Sequence, residues 1–369
     1  MNPEVLDVNR SLRAIVARLR DGQESDGSFR TLRRFTGAVE SYVKPTEFRE
    51  WHDFGSCPFA TANIAMHLRD VDLPGVAEVR EKACLSLAAS MENGVARYVP
   101  GNTKPIDFPT DVDDTCLSAA ALQANGLCSA CNIEMVLDNQ VGDGNIYTWL
   151  VPRWRHLRHP RNIAWLVRDY QEWKTRFSSY GLPHSHVKHM LREYAQASEP
   201  GIAANVLLFL RVTPQTTPML AAMIKRIEAD DAILGYYANP IAVYFHIARL
   251  YHSGVEAVGS LKSRIIAYLN GMQDADGAID GPFNTALGAL IYMYFGDWDR
   301  PELESAVRYL ASHRMHQAGW EPFHYCNDLD GVFVDGGPEL TAVFYLEALY
   351  RYHLVRDERA LAKVGGGAR

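Results

Sequence analysis

The sequence predicts an all-α fold, an (α/α)6 toroid or barrel in which six helical hairpins close into a ring. Three observations lead to this prediction. Strand patterns are scarce, runs of small and apolar residues recur six times, and a more charged, amphipathic segment precedes each run. Alternating charged and buried helices are typical of a double ring, in which inner helices line a central cavity and outer helices wrap around them.

The six apolar runs are predicted to be the inner helices. They are opened by Pro, Asp, Asn or Thr, which favour helix N-termini, and several end in Gly or a basic residue. Their residues are apolar on nearly every side, which is typical of buried helices. In chain order the runs cover 57–68, 109–126, 201–210, 239–251, 281–296 and 337–352.

The amphipathic segments are predicted to be the outer helices. In the fifth of them, apolar residues recur at steps of three and four, which places them on one stripe of a helix. That stripe comprises Val255, Val258, Leu261, Ile265, Tyr268 and Leu269. The outer segments cover 4–20, 75–91, 160–196, 218–229, 255–272 and 301–316.

Short turns that contain Gln and Gly are predicted to join outer to inner helices. QESDGSF (23–29), QDADGAI (273–279) and QAGW (317–320) each follow an outer segment and precede an inner run. Gly and Asp suit such turns, and a Gln side chain can bond a helix end. Residues 128–160 break the period, so we expect them to form a loop inserted on one face of the ring.

Length and composition limit the classes of protein that remain. Closure of the ring makes one domain over 1–363 reasonable, followed by a disordered tail at 364–369. The net charge of −7 and the lack of a recognition motif argue against a nucleic-acid partner. No run of ~20 apolar residues is present to span a membrane, and the N-terminus does not resemble a leader. We therefore expect a cytoplasmic protein.

Six Cys in a chain of this length are too sparse for a disulfide framework. Cys128 and Cys131 form a lone CxxC, which we interpret as a packing or loop feature, with a structural zinc site as the weaker alternative.

Three carboxylates, Asp111, Asp113 and Asp114, stand at the start of the second apolar run. The ordinary explanation is helix capping, because Thr110 followed by Asp113 is a capping-box pattern and acidic residues in a first turn suit the helix dipole. Capping does not easily explain three carboxylates ahead of a segment, CLSAAAL, that is apolar enough to face a cavity. We therefore favour a functional role.

Three kinds of chemistry fit such a cluster: a metal site, a glycoside-hydrolase pair, or a strong acid. The spacing is not that of an EF-hand, and the candidate cavity residues are too oily for a sugar. A helix N-terminus strengthens an acid by favouring its anion, while neighbouring carboxylates keep one proton on the cluster. Such an acid could deliver its proton in a dry cavity to a poor base, such as a carbon–carbon double bond.

The stretch Asp111-Val112-Asp113-Asp114-Thr115 resembles the DxDDT motif of class II terpene cyclases, the squalene–hopene cyclase superfamily. The Gln-containing turns are similar to the Q…W repeats of that family, although only QAGW keeps the Trp. The resemblance implies an α/α barrel with the motif on an inner helix. It also implies that Asp113 is the proton donor and that Asp111 and Asp114 are its hydrogen-bonding and electrostatic neighbours.

The same resemblance implies an activity. The enzyme would protonate a terminal alkene or epoxide of a linear prenyl chain and fold the chain into fused rings. Because this chain has room for one barrel rather than two, it looks like the single-domain cyclases of prenylated aromatic substrates, which yield meroterpenoids. No metal or other cofactor is expected, although Mg²⁺ could take part if the substrate were a diphosphate.

Aromatic side chains near the starts of inner helices are candidates to bind the substrate. Their faces stabilise a carbocation by cation–π attraction, although core packing is the ordinary role of any one of them. The candidates are Trp51, Phe54, Phe59, Tyr147, Trp149, Tyr236, Tyr237, Phe283, Trp320, Phe323 and Tyr325.

Two further sets of residues are candidates for the site. Arg33 and Arg34, in RTLRRF, could clamp an anionic head group, either a diphosphate or an aromatic carboxylate, although a solvated surface is the ordinary interpretation. The resemblance implies a donor placed against the acid, and no motif shows which residue supplies it. Four His are candidates, of which the first could also contact substrate: His52, His184, His186 and His246.

Two other functions remain open. Asp114-x-Cys116 has the spacing of two ligands in zinc-dependent prenyltransferases, whose toroid subunit shares this fold. A non-catalytic toroid that binds a lipid or a protein is the other alternative. An oily substrate would also imply transient contact with a membrane surface.

Overall fold

The structure is a computed structural model in which most of the chain is helical. It describes residues 3–35, 50–98, 109–178, 198–230, 235–237, 239–312, 323, 325–327 and 333–365. The predictions made for Trp320, His184, His186 and the QAGW turn lie outside these ranges. In chain order the helices are α1 (Pro3–Gly22), α2 (Pro58–His67), α3 (Val76–Ser90), α4 (Val112–Ala124), α5 (Ile133–Leu137), α6 (Pro160–Ser178), α7 (Pro200–Leu210), α8 (Thr217–Glu228), α9 (Pro240–His252), α10 (Lys262–Met272), α11 (Pro282–Tyr294), α12 (Pro301–Ser312) and α13 (Pro338–Gly365).

The inner helices begin where the sequence predicts, and for the predicted reasons. Proline occupies the first turn of α2, α7, α9 and α11, where its missing N–H is not needed. Asp111 and Asn239 cap α4 and α9 by accepting hydrogen bonds from backbone N–H groups. In α11 every side chain from Phe283 to Tyr294 is buried, as expected for a helix of the inner wall.

Contacts between successive inner helices close the ring. α2 contacts α4, α4 contacts α7, and the series continues through α9 and α11 to α13, which contacts α2 again. Outside this wall, α1 packs on α13, α3 on α2, α8 on α7, α10 on α9 and α12 on α11. α6 joins the same core through the buried side chain of Leu166. The predicted all-α toroid is therefore confirmed.

The ends of two helices differ from the prediction. Glu256–Leu261 form a 3-10 helix ahead of α10, because their buried residues, Val258 and Leu261, recur at steps of three. α13 ends at Gly365, two residues into the predicted tail, and 366–369 lie outside the described ranges. Among the helices described, none is long and apolar enough to cross a bilayer.

A small antiparallel sheet, not predicted from the sequence, joins the two ends of the chain at one face of the ring. Its strand order is β2-β1-β6-β5, and Arg33 pairs with Asp335 across the two central strands. This pairing links segments about 300 residues apart, so no local pattern could reveal it. The strands are β1 (Arg30–Phe35), β2 (His52–Ser56), β3 (Ala96–Arg97), β4 (Thr110–Asp111), β5 (Cys326–Asn327) and β6 (Phe333–Gly336), of which β3 and β4 form a separate pair.

The Gln residues of the turns make the same contacts at both described positions. Gln23 Nε2 donates to the carbonyl of Gly27 within its own turn (3.0 Å) and to that of Val79 in α3 (2.8 Å). Gln273 Nε2 donates to the carbonyl of Gly277 (3.1 Å) and to that of Glu302 in α12 (2.9 Å). Each Gln therefore ties its turn to the next outer helix.

The inserted region 128–160 contains the same kind of turn, which the sequence prediction missed. Gln140 pairs with Ile146 in QVGDGNI just as Gln273 pairs with Ile279. Gly144 adopts φ +90°, and a Cβ there would meet the Pro218 carbonyl oxygen at 2.3 Å, so only glycine fits. The expectation that residues 128–160 interrupt the repeat of turns is therefore wrong for residues 140–146, which form a turn of the same kind.

Candidate active site

The carboxylate cluster lies where β4 leads into α4. Asp111 is the N-cap of α4, and its Oδ1 accepts a hydrogen bond from the backbone N–H of Asp114 at 2.7 Å. The predicted capping pair of Thr110 and Asp113 does not form, because Thr110 donates instead to Asp169 of α6 at 3.1 Å. Capping therefore uses one of the three carboxylates and leaves Asp113 free of that role.

Asp113 is held between two donors from other parts of the ring. Asn205 Nδ2, in α7, donates to Asp113 Oδ1 at 2.7 Å, and the Tyr237 hydroxyl donates to Oδ2 at 2.8 Å. Asn205 also donates to the Tyr237 oxygen at 2.8 Å, which fixes the two donors relative to each other. Burial raises the pKa of Asp113, while Asn205, Tyr237 and the charge of Arg249 oppose that rise.

A second layer of polar side chains in α9 orients these donors. Arg249 donates to Asn205 Oδ1 at 2.6 Å and contacts His246 Nδ1 at 2.7 Å. Arg249 has only donors, so Nδ1 accepts and the neutral His246 ring carries its proton on Nε2, 3.0 Å from the Tyr325 hydroxyl. Burial, with the charge of Arg249, lowers the His246 pKa well below its usual value, which fits this neutral tautomer.

Of the four candidate histidines, the two that the structure describes, His52 and His246, do not contact the acid. His246 belongs to the network but is separated from Asp113 by Arg249 and Asn205, and His52 is exposed on β2. The donors that do contact Asp113 are Asn205, which was not predicted, and Tyr237, which was predicted as a cavity aromatic. An Asn in the middle of an otherwise apolar run was the available signal for Asn205.

Asp111 and Asp114 are buried beside each other at the start of α4, and Asp111 Oδ2 and Asp114 Oδ1 have no hydrogen-bond donor among the described residues. Burial raises the pKa of Asp111 to about 7. Burial, together with the charge of Asp111, raises the pKa of Asp114 well above its usual value. The cluster as a whole therefore retains protons near neutral pH.

Glu199, at the N-cap position of α7, is a fourth buried carboxyl near the acid and was missed in the sequence. Its Oε2 accepts weakly from the backbone N–H of Tyr237, at 3.5 Å. Burial, followed by the charge of Asp113, raises its pKa to about 8. No local pattern marked Glu199, since Glu ahead of a Pro-opened helix is usually exposed.

Replacement of Glu199 tests whether this carboxyl is held protonated by the fold. Between the unfolded pKa of ~4.3 and the folded pKa of about 8, the native state binds more protons, so stability falls as the pH rises. Glu199→Gln removes that loss and is expected to raise the free energy of unfolding at pH 8 by about 4–5 kcal/mol, with little change at pH 4. Urea denaturation at both pH values measures the difference, and an equal effect at both would contradict it.

The cluster faces a cavity enclosed mainly by apolar side chains. The space among them, counting the part open to solvent, is about 550 Å³. Of the predicted substrate-binding residues, Trp149, Tyr236, Tyr237, Arg33 and the aromatic Phe59 line it. The remaining lining residues are Tyr98, Asp111, Asp113, Asp114, Thr148, Ile202, Cys326 and Asp335.

Other predicted aromatics stand behind this lining or beside it. Tyr325 packs edge-on against Tyr237 at 5.7 Å, and Phe283 stacks on Phe323 at 4.5 Å in the layer behind. Tyr147 lies under the guanidinium of Arg153. These side chains pack behind or beside the residues that line the cavity and are not part of the lining themselves.

The predicted arginine clamp needs correction. The guanidinium of Arg33 is buried and forms a two-pronged ion pair with Asp335, at 2.6 and 2.5 Å, over the ring of Phe54. Its charge is therefore already balanced, although it lines the cavity. Arg34 is exposed and its guanidinium lies over the ring of Trp51, 4.9 Å from the centroid. Strand alternation explains the difference, since neighbouring residues point to opposite faces.

The described residues do not favour a zinc site. Cys116 lies in the apolar core, and burial raises its thiol pKa well above the usual value, whereas a zinc ligand must be a thiolate. Within the described ranges, no three His, Cys, Asp or Glu side chains come together as a metal-binding group, and the Cys128 and Cys131 thiols are unpaired.

Comparison with known proteins identifies the fold. No protein-family model and no curated protein sequence matches the chain. Among solved structures, a protein from Actinoplanes superposes with a TM-score of 0.65 at 15% identity, covering 94% of this chain and 99% of that one. The type II terpene cyclase MstE from Scytonema superposes with a TM-score of 0.63 at 12% identity, covering 94% and 98%.

A variant of MstE in complex with geranylgeranyl dihydroxybenzoate also superposes, with a TM-score of 0.63 at 12% identity, covering 95% of this chain and 99% of that one. At these identities the likeness establishes the fold alone, which is the all-α toroid of the terpene-cyclase type.

Proposed function

We propose that this protein is a class II terpene or meroterpenoid cyclase, an enzyme that protonates a terminal alkene or epoxide of a linear prenyl chain and folds the chain into fused rings. One observation carries the proposal. Asp113 stands at an apolar, aromatic cavity, partly accessible from it, with a hydrogen-bond donor on each carboxyl oxygen.

These surroundings suit a carboxyl that must give up its proton to a weak base. Burial disfavours the anion and raises the pKa of Asp113, which favours the protonated carboxyl before reaction. Once the proton leaves, Asn205 and Tyr237 stabilise the carboxylate through both oxygens, and the charge of Arg249 adds to this. Donors that are already in place where charge develops lower the barrier without reorganisation.

The cavity wall suits the cation that follows. Phe59, Tyr98, Trp149 and Tyr236 present aromatic side chains to the space beside Asp113. Each aromatic face in a dry site is worth ~0.5–2 kcal/mol to a cation. The Trp149 indole N–H donates to the Tyr236 hydroxyl, which fixes one edge of this wall. A rigid wall also holds successive double bonds in a geometry close to attack.

Two features of the cavity bear on the substrate class: its aromatic wall and the ion pair that balances the charge of Arg33. A prenylated aromatic compound suits an aromatic cavity, and MstE was crystallised with such a compound. A free diphosphate would need cations that are not already paired, and Arg33 is paired with Asp335. We therefore place aryl-linked farnesyl and geranylgeranyl chains ahead of prenyl diphosphates, with Mg²⁺ required only for the latter.

Incubation with both classes of substrate in D₂O tests the proposal. We expect an aryl-linked chain to yield a cyclic isomer or its hydrate with one carbon-bound deuterium, because the initiating proton exchanges with solvent. Mass spectrometry and NMR identify the product, and parallel reactions with diphosphates, with and without Mg²⁺, set the head-group preference. Substrate recovered unchanged would favour the lipid-binding toroid. For a substrate with a terminal alkene, a product without carbon-bound deuterium would exclude initiation by a proton.

A further inference from the structure

A second cavity lies at the opposite end of the ring from Asp113. Asp113 is in the first turn of α4, whereas this cavity is lined by the last residues of α4 and by the C-terminal ends of the other inner helices. Its space, counting the part open to solvent, is about 1030 Å³. The charged side chains that line it are His67, Arg69, Arg211, Arg249, Glu347 and Arg351.

This second cavity has more positive than negative charge. Arg69 and Arg351 share the carboxylate of Asp70, and Arg351 also contacts Glu347. Arg211 donates to a backbone carbonyl, that of Ser253, at 3.2 Å. Arg249 contacts Asn63, Met66, Asn205 and His246 and, among the described residues, no carboxylate. The four guanidinium groups at this cavity are therefore balanced by only two carboxylates, those of Asp70 and Glu347.

Two nitrogen atoms at this cavity are buried without a hydrogen-bond partner. They are Nε of Arg249 and Nε2 of His67, whose side chains are 5% and 3% exposed. Burial lowers the pKa of His67, which favours the neutral ring, and in that form Nδ1–H donates to Glu347. Arg249 Nε is an unused donor, and His67 Nε2 in the neutral ring is an unused acceptor. Leaving a buried polar atom unpaired destabilises the fold, and a ligand would relieve this cost.

Helix capping explains only part of this arrangement. Helix C-termini carry partial negative charge, and basic residues there are common. That accounts for Arg211, which contacts the Ser253 carbonyl beyond α9. It does not account for Arg249 Nε and His67 Nε2, because neither contacts a carbonyl.

We propose that this cavity is a binding site for a protonated tetrahedral oxyanion, the phosphate or diphosphate group of a small molecule. Its oxygens would accept from Arg211 and from Arg249 Nε, and its P–OH would donate to His67 Nε2. Arginine is suited to phosphate because its planar donors match the oxygens. The site is separate from the Asp113 cavity and does not depend on the proposed cyclase reaction.

One consequence does rest on the proposed function. Arg249 links the two cavities. Its Nη2 donates a hydrogen bond to Asn205, and Asn205 in turn donates to Asp113. A bound anion would offset the positive charge that stabilises the Asp113 carboxylate. The cyclase is therefore expected to slow when the anion binds, whereas the binding itself is measurable without turnover.

Calorimetric titration of the full chain with inorganic phosphate and with inorganic diphosphate, at ionic strength held constant with chloride, tests the site. We expect saturable binding of at least one of them, with one site per chain. Arg211→Gln removes one donor from the mouth of the cavity and is expected to weaken binding about tenfold or more. Arg308→Gln, on α12, removes the same charge from an exposed residue paired with Glu304 and is expected to leave binding unchanged.

The outcomes separate clearly. Absence of saturable binding by the parent chain overturns the site, as does an equal loss in Arg211→Gln and Arg308→Gln, since that would reflect net charge alone. If Arg211→Gln does not fold, Arg69→Gln serves instead, because its exposed pair with Asp70 contributes little to stability. Binding without slower cyclisation would keep the site and remove only its link to Asp113.

Discussion

Asp113→Asn is expected to abolish cyclisation, lowering turnover of a prenylated aromatic substrate by about 10³-fold or more. The amide has no acidic proton to give, and Asp335, the other carboxyl at the cavity with a donor on each oxygen, is held in an ion pair with Arg33. The fold should persist, because the Asn oxygen can still accept from Asn205 while its NH₂ donates to the Tyr237 oxygen. Turnover is followed by mass spectrometry and folding by circular dichroism.

A matched variant separates loss of the acid from loss of a charge. Asp230→Asn makes the same substitution at an exposed residue with φ +61°, a conformation that Asn tolerates as well as Asp. We expect its turnover to match the parent. Cyclisation at a comparable rate by folded Asp113→Asn would remove Asp113 as the proton donor and, with it, the proposed reaction.

Tyr237→Phe is expected to lower kcat by about 10- to 100-fold, with a small change in KM. The hydroxyl donates to Asp113 Oδ2 and stabilises the carboxylate left after proton transfer, so its loss raises the barrier. The same hydrogen bond lowers the Asp113 pKa. Its removal therefore raises that pKa, and the loss of activity on the alkaline side, where Asp113 deprotonates, should move to higher pH.

The pH profile distinguishes this role from simple packing. Tyr236→Phe removes a hydroxyl from the same cavity, but one that accepts from Trp149. We expect the alkaline limb of its profile to stay where it is in the parent. A Tyr237→Phe profile with an unmoved limb would show that the hydroxyl contributes shape alone.

Local chemistry allowed the helices to be predicted closely. Pro58, Pro200 and Pro282 open helices because their fixed φ and missing N–H suit a first turn, and both properties are visible in the sequence. The apolar runs that follow are buried because a helix without a polar face has to be covered. The carboxylates could be identified in the same way, since Asp111, Asp113 and Asp114 adjoin one of these starts.

The partners of the acid could not be predicted. Asn205 and Tyr237 lie 92 and 124 residues from Asp113, on other hairpins of the ring. Their alignment with the two carboxyl oxygens depends on how α4 and α7 pack, and no spacing in the sequence encodes that. The ion pair of Arg33 could not be predicted for the same reason, because its partner Asp335 lies 302 residues away in the sequence.

By itself, the sequence determined the helices, their order and the position of the carboxylates, because periodicity and capping act over three or four neighbouring residues. Only the tertiary structure decided which carboxylate is capped and which is held by donors, which aromatic side chains enclose the cavity, and that a second, positive cavity exists at the other end. Closure of the ring sets these relations, since it brings residues a hundred or more positions apart to within a hydrogen bond of each other.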